Sequence, residues 1–237
     1  MQPNRTPQTA AVRTVDVGLR EHFQRVYNMM AFGLVLTGVL SYAIGTTPAL
    51  YQAYAANPIL QWIVILSPLA IVFFGLSPRR VASMSVGAVT GLYLLLTGLF
   101  GISMSSIFMM YSTESIARVF FITAGMFAAT SIYGYTTKKD LSGMASFMMM
   151  GLIGIIIASI VNIFLQSSML MFVTSVIGVV VFTGLTAWDT QNIKETYSAS
   201  YDGDSRSKLA VMGALSLYLN FINLFMMMLR LMGSQRS

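Results

Sequence analysis

The amino-acid sequence predicts an all-α membrane protein with seven transmembrane helices, the last of them central in the bundle. Of its 237 residues, 56% are hydrophobic and only 9% are charged, whereas a soluble domain carries about 25% charged residues. The apolar residues also occur in runs of about 18–24, and a helix needs about 20 residues to span the hydrocarbon core of a bilayer. This composition excludes a cytosolic globular enzyme, because the chain cannot cover itself with a polar surface.

Seven apolar runs reach spanning length, and polar or turn-forming residues separate them. Asn57-Pro58 precedes the second run, Ser77-Pro78 lies between the second and the third, and Lys138–Asp140 follows the fourth. The runs leave no residues for a soluble domain, so we expect residues 23–237 to form one membrane domain. The predicted spans are Val26–Gly45, Ile59–Leu76, Val81–Ile102, Ile116–Tyr135, Met144–Leu165, Met169–Trp188 and Leu209–Met232.

The orientation of the bundle follows from the distribution of Lys and Arg. The N-terminus and the loops after spans two, four and six hold eleven of these residues, and the opposite side holds three. Because cytoplasmic loops of membrane proteins carry an excess of Lys and Arg, we predict a cytoplasmic N-terminus and a C-terminus outside. Residues 1–22 are polar and rich in Pro, Thr and Gln, so we expect them to be a disordered cytoplasmic segment. The net charge of +6 indicates contact with anionic lipid and does not indicate a nucleic-acid partner.

The last span is predicted to be central because one of its faces is small and polar. Along this face lie Gly213, Ser216, Asn220 and Asn223. Lipid cannot satisfy the hydrogen bonds of two amides, so the face must point at protein or water. Hydrogen bonding between helices, with no further role, is the alternative for the two Asn.

Asp189 is the first candidate for a functional residue. It follows the predicted end of the sixth span, where a carboxylate opposes the helix dipole. Burial near the membrane favours the neutral form of a carboxyl group, which makes Asp189 a candidate proton or cation site. The alternative is an interfacial Asp that head groups solvate and that pairs with Lys194.

His22 lies alone in the polar N-terminal segment and is expected to be solvated.

The residue inventory excludes several membrane activities. The last span has no Lys for a retinal Schiff base, no predicted span has a His for a serine protease, and Asp189 is a single Asp where an aspartyl protease needs two. Cys is absent from the sequence, as is a Walker-type glycine loop. We therefore expect neither an enzyme nor a resident cofactor. A passive or proton-sensitive pore remains, as does a bundle that binds another membrane protein.

Two motifs late in the chain carry a family resemblance. They are Thr186–Gln191, which reads TAWDTQ, and Ala214–Phe225, which reads ALSLYLNFINLF; Thr123–Met126 and Tyr133–Leu141 support them. With these motifs the chain resembles bacterial members of the transmembrane BAX inhibitor motif family, also called the Bax inhibitor-1 family. The resemblance covers the membrane region and implies a seven-helix bundle with a central last helix in a bacterial plasma (inner) membrane.

The resemblance also implies a calcium leak that pH regulates. In the family, an Asp at the position of Asp189 shares a proton with an Asp on the last helix, and here Asn220 occupies the partner position. The predicted cation- or proton-sensing residues are therefore Asp189 and Asn220, with Ser216 and Asn223 as a supporting polar stripe. Their contact requires the sixth helix to continue past Trp188, because Asn220 lies about 17 Å into its own predicted helix.

A second function remains open from the same resemblance. Some bacterial relatives resemble modulators of a membrane-anchored AAA protease, which act by binding and not by transport. In that case we expect residues 1–22 to be the segment that binds the partner, since they form the only flexible segment predicted on the cytoplasmic side.

Overall fold

A computed structural model describes the backbone of residues 8–235 and the side chains of residues 17–235. The described residues form helices and no strands, apart from one isolated bridging pair between Tyr111 and Gln235. A π-helical turn at Ile71–Gly75 and a 3₁₀ turn at Met104–Ser106 join neighbouring helices. The α-helices are α1 (Gln8–Thr46), α2 (Pro48–Ala55), α3 (Pro58–Ala70), α4 (Pro78–Ser83), α5 (Val86–Ser103), α6 (Ile107–Met110), α7 (Thr113–Thr136), α8 (Ser142–Leu165), α9 (Ser168–Thr196) and α10 (Gly203–Met232).

The predicted seven spans are confirmed. Within the described residues, seven helical segments are long and apolar enough to cross a membrane. They are Val17–Thr46, Pro58–Gly75, Val86–Met110, Thr113–Thr136, Ser142–Leu165, Ser168–Thr196 and Gly203–Met232.

The first helix differs from the prediction at its start. It begins at Gln8, so residues 8–22 are helical where the sequence predicted disorder, and residues 1–7 lie outside the described residues. His22 is also buried, with 5% of its surface exposed, although it was expected to be solvated. Its ring packs 5.3 Å from the ring of Tyr197, because the loop after α9 folds back over the start of the first span.

The third span begins later than predicted. Its apolar run was expected to start at Val81, but this residue belongs to α4, which ends at Ser83. The backbone is extended at Met84 and Ser85, and the Ser85 hydroxyl accepts a hydrogen bond from the Ala88 backbone N–H at 3.2 Å. This capping interaction starts a new helix, which hydropathy alone does not reveal.

The two ends of the bundle are named here by the chain termini. The N-terminal face is the end at which α1 enters the bundle, and it also carries α4 and the loops 137–141 and 197–202. The C-terminal face is the opposite end, where α10 finishes at Met232.

Helix α10 packs against α1, α5, α7 and α9. Glycines allow the closest approaches in this part of the bundle. A Cβ at Gly178 of α9 would lie 2.7 Å from Met227 Cγ on α10, and a Cβ at Gly213 of α10 would lie 3.1 Å from Ile193 Cγ1 on α9. These two contacts set the antiparallel register of α9 and α10, so that Asp189 faces the middle of α10.

Candidate functional site

Asp189 lies within the sixth span and not at its end. Helix α9 continues past Trp188 to Thr196, about two turns beyond Asp189. Hydropathy ended the span too early because the polar residues that follow Trp188 are buried against protein. Asp189 as a whole residue is 8% exposed, so it is largely shielded from both lipid and solvent.

Two side chains of α10 donate hydrogen bonds to this carboxylate. Ser216 Oγ donates to Asp189 Oδ2 at 2.5 Å, and Asn220 Nδ2 donates to the same oxygen at 2.6 Å. The contact between Asp189 and Asn220 that the sequence predicted is therefore present. We call these three residues the Asp189 cluster, which joins α9 to α10 through charge-assisted hydrogen bonds when the carboxylate is ionised.

The other residue of the predicted polar stripe does not join the cluster. Asn223 Nδ2 donates to the Leu219 carbonyl oxygen of its own helix at 2.8 Å. The alternative pairing of Asp189 with Lys194 is also not formed. The Lys194 ammonium donates to the Tyr135 carbonyl oxygen at 2.9 Å and lies 5.2 Å from the centroid of the Tyr135 ring.

A chain of hydroxyl groups begins at Thr190, beside Asp189 in the sequence. Thr190 Oγ1 donates to the Thr186 carbonyl oxygen at 2.9 Å, so it accepts from Ser131 Oγ at 2.8 Å. The Ser131 oxygen in turn accepts from the Tyr27 hydroxyl at 2.5 Å. The chain links α9 to α7 and α1. No local pattern predicts it, because Tyr27 and Ser131 are 104 residues apart.

Gln191 completes a run of three consecutive side chains that bind three different elements. Its Oε1 accepts from the Leu141 backbone N–H at 2.9 Å, and its Nε2 donates to the Lys139 carbonyl oxygen at 2.8 Å. Asp189 thus binds α10, Thr190 binds α7, and Gln191 binds the loop at 137–141. The TAWDTQ motif is therefore an anchoring point of the bundle as well as the position of its buried acid.

The cluster suits a proton better than a resident metal ion. Among the side chains of residues 17–235, Asp189 is the only buried carboxylate, and these residues contain no group of three or more His, Cys, Asp or Glu placed to hold a metal. Calcium takes six to eight oxygen ligands, which one carboxylate with two neutral neighbours does not supply. The arrangement can bind or release one proton at Asp189.

The comparison with known families covers nearly the whole chain. A family model described as "Inhibitor of apoptosis-promoting Bax1" matches residues 19–237. The chain belongs to this family. The resemblance that the motifs of α9 and α10 indicated is thereby confirmed.

Curated bacterial relatives align over nearly the full length of the chain. An uncharacterized protein of Caulobacter vibrioides is 43% identical over 242 residues, covering 97% of this chain and 95% of its own. An uncharacterized protein of Rickettsia prowazekii is 42% identical over 231 residues, covering 96% and 95%. The inner membrane protein YbhL of Escherichia coli strain K12 is 40% identical over 235 residues, covering 98% of this chain and all of YbhL.

Proposed function

We propose that this member of the Bax inhibitor-1 family is a pH-sensitive leak for calcium ions in a bacterial inner membrane. The name of the Escherichia coli relative supports the location. Family membership supports the transported ion, since the resemblance implies a calcium leak. The residue inventory supports transport over catalysis, because the spans hold no set of side chains for a covalent or hydrolytic mechanism.

The charge distribution supports a cytoplasmic N-terminal face. Arg118 and Arg230 lie towards the C-terminal face, and nine described residues lie towards the other. The positive-inside rule assigns the more basic face to the cytoplasm. The nine are Arg20, Arg25, Arg79, Arg80, Lys138, Lys139, Lys194, Arg206 and Lys208.

The burial of Asp189 between α9 and α10 is the observation that carries the proposal. An ionised carboxylate accepts the hydrogen bonds of Ser216 and Asn220 with charge assistance, which makes them about twice as strong as neutral ones. Protonation removes that assistance and adds an O–H donor to Asp189, whereas Ser216 and Asn220 already act as donors towards this residue. The link between α9 and α10 then weakens, and we propose that flux rises as the pH falls.

Calcium flux into liposomes that contain the purified protein tests this gating, measured across a pH series. The native protein is expected to show a shallow response that corresponds to one proton. Asp189→Asn is expected to abolish the response, because it leaves no ionisable group in the cluster. Asp140→Asn is the matched control, since Asp140 lies in the exposed loop at the N-terminal face and is expected to leave the curve unchanged.

A second variant tests the departure from the family pattern. Asn220→Asp restores two carboxylates in hydrogen-bonding distance, which titrate as a coupled pair. We expect a second proton step and a response displaced to higher pH. A pH response that survives in Asp189→Asn, or an Asn220→Asp curve that matches the native one, would contradict the proposal.

The protein-binding alternative has one structural observation in its favour. The described backbone of α1 runs without a break from Gln8 to Thr46, so part of the segment that the alternative assigns to the partner is helical and continuous with the first span. Removing residues 1–16 is expected to leave flux unchanged under the leak proposal. Under the alternative it removes the effect on a membrane-anchored AAA protease, while purified protein gives no flux at any pH.

A further inference from the structure

A groove at the N-terminal face lies between α1, α5 and the start of α10, with a volume of about 570 Å³. Ala210 and Val211 of α10 line it and are buried. Phe32 of α1, which is 58% exposed, and Leu94 of α5 line it farther from the face. The groove lies along segments that cross the membrane, so its open side faces lipid.

Polar groups line the groove at the N-terminal face. Arg25 and Asn28 of α1 are exposed there, and Thr90 of α5 lies alongside. Within the part of the chain that the structure describes, the side chains of Arg25 and Asn28 form no hydrogen bond and no ion pair. None of the described residues that line the groove is acidic. A guanidinium that has no partner among the described side chains, next to an amide and a hydroxyl, is suited to bind an anionic oxygen group such as a phosphate.

We propose that this groove binds one anionic phospholipid. The phosphate contacts Arg25 and Asn28, and an acyl chain follows the apolar surface towards Phe32 and Leu94. From Arg25 to Phe32 the helix rises about 10 Å, which carries the ligand from the interface into the hydrocarbon region of the bilayer.

Shape and charge together favour a lipid over a free phosphate. A small soluble anion leaves the apolar half of the groove unoccupied, whereas a phospholipid contacts both halves. Basic pockets between transmembrane helices on the cytoplasmic side bind anionic head groups, and the N-terminal face carries most of the basic residues. This inference does not depend on whether the protein conducts ions.

Native mass spectrometry of the purified full chain tests the site with phosphatidylglycerol and phosphatidylcholine of identical acyl chains. The native protein is expected to retain one phosphatidylglycerol, with about a fivefold preference over phosphatidylcholine, since one basic residue near the membrane surface contributes about 1 kcal/mol. Arg25→Gln is expected to lose that preference. Arg79→Gln is the matched control, because Arg79 lies on the same face outside the groove.

Two further measurements separate the head-group contact from the chain contact. Leu94→Trp fills the apolar half without a change in charge and is expected to reduce retention of both lipids. An excess of soluble glycerol phosphate is expected not to displace phosphatidylglycerol. The proposal is overturned if glycerol phosphate displaces the lipid, if Arg25→Gln and Arg79→Gln lose the preference equally, or if the native protein retains both lipids equally.

Discussion

Helix α10 carries two polar clusters on opposite sides, and they differ in one chemical respect. Ser216 and Asn220 face α9 and bind the carboxylate of Asp189. Tyr218 lies between them in the sequence and points away, because residues two apart on a helix are about 200° apart. Its hydroxyl donates to Thr37 Oγ1 at 2.7 Å, and Thr37 donates to a carbonyl oxygen of α5 at 2.8 Å.

The second cluster, formed by Thr37, Thr97 and Tyr218, contains no group that titrates near neutral pH. Each hydroxyl hydrogen has one acceptor, and the ring of Tyr218 packs edge-on against Phe100 at a centroid distance of 5.9 Å. The Asp189 cluster joins α9 to α10, whereas the second cluster joins α1, α5 and α10, and the Asp189 cluster depends on one ionisable acceptor. Under the proposed function, we therefore expect pH changes to act on the α9 side of α10 and to leave the α1 side fixed.

The largest effect is expected from a steric clash between α7 and α9, the helix that carries Asp189. A Cβ at Gly134 of α7 would collide with the Ala187 backbone carbonyl of α9, whereas nothing lies within 4 Å of a Cβ at Gly125 of the same helix. Gly134→Ala is expected to lower the free energy of unfolding by about 3 kcal/mol, near the upper end for overpacking. Gly125→Ala is expected to cause no loss, since Ala favours a helix over Gly. Chemical denaturation in detergent measures both; similar values for the two variants would contradict this close approach.

A smaller effect is expected from removing a donor of the Asp189 cluster. Asn220→Leu is expected to cost about 2 kcal/mol at neutral pH, the range for a hydrogen bond to a charged group. The loss is expected to shrink in acid, where the carboxyl group is neutral. Asn223→Leu is the control, because Asn223 bonds only to its own helix at Leu219. Equal losses for the two variants at both pH values would contradict the assignment of Asp189 as the acceptor that makes Asn220 different from Asn223.

The smallest effect is expected on the α1 side. Tyr218→Phe removes one neutral hydrogen bond between helices, worth about 0.6 kcal/mol in a membrane protein. Thr37 retains its bond to the Thr97 carbonyl oxygen, so no hydroxyl hydrogen is left without an acceptor. Unfolding at pH 5 and at pH 8 measures the effect, which is expected to be the same at both. A pH-dependent loss would show that the two clusters are coupled through α10.

Sequence reasoning reached the features that depend on local composition. Each span is an apolar run, and the contact between Asp189 and Asn220 was expected from the family resemblance that the motifs Thr186–Gln191 and Ala214–Phe225 carry. Its error at the sixth span occurred where polar residues are buried against protein. The sixth span continues through Asp189, Thr190 and Gln191 to Thr196. Hydropathy ends the span before these polar residues because it contains no information on the protein groups that they bind.

Long-range pairs account for what the sequence did not show. Ser131 and Thr190 are 59 residues apart, and Gln191 is 50 residues from Leu141. Hydroxyl and amide side chains are common in transmembrane helices as packing residues, so nothing distinguishes these before the helices are assembled. The burial of His22 was missed for the same reason, because Tyr197, whose ring packs against it, lies on a loop far away in the sequence.

The second span, Pro58–Gly75, differs from the others in length as well as in packing. It packs mainly against α5, its buried residues in α3 are Val64 and Pro68, and its last turn is a π-helix closed by a bond from Leu76 N to the Ile71 carbonyl oxygen. Its 18 residues extend about 27 Å, a few ångströms less than a typical hydrocarbon core. Thinning of the neighbouring lipid is one way in which a bilayer accommodates a short span, so we expect the bilayer beside the outer surface of α3 to be sensitive to acyl-chain length.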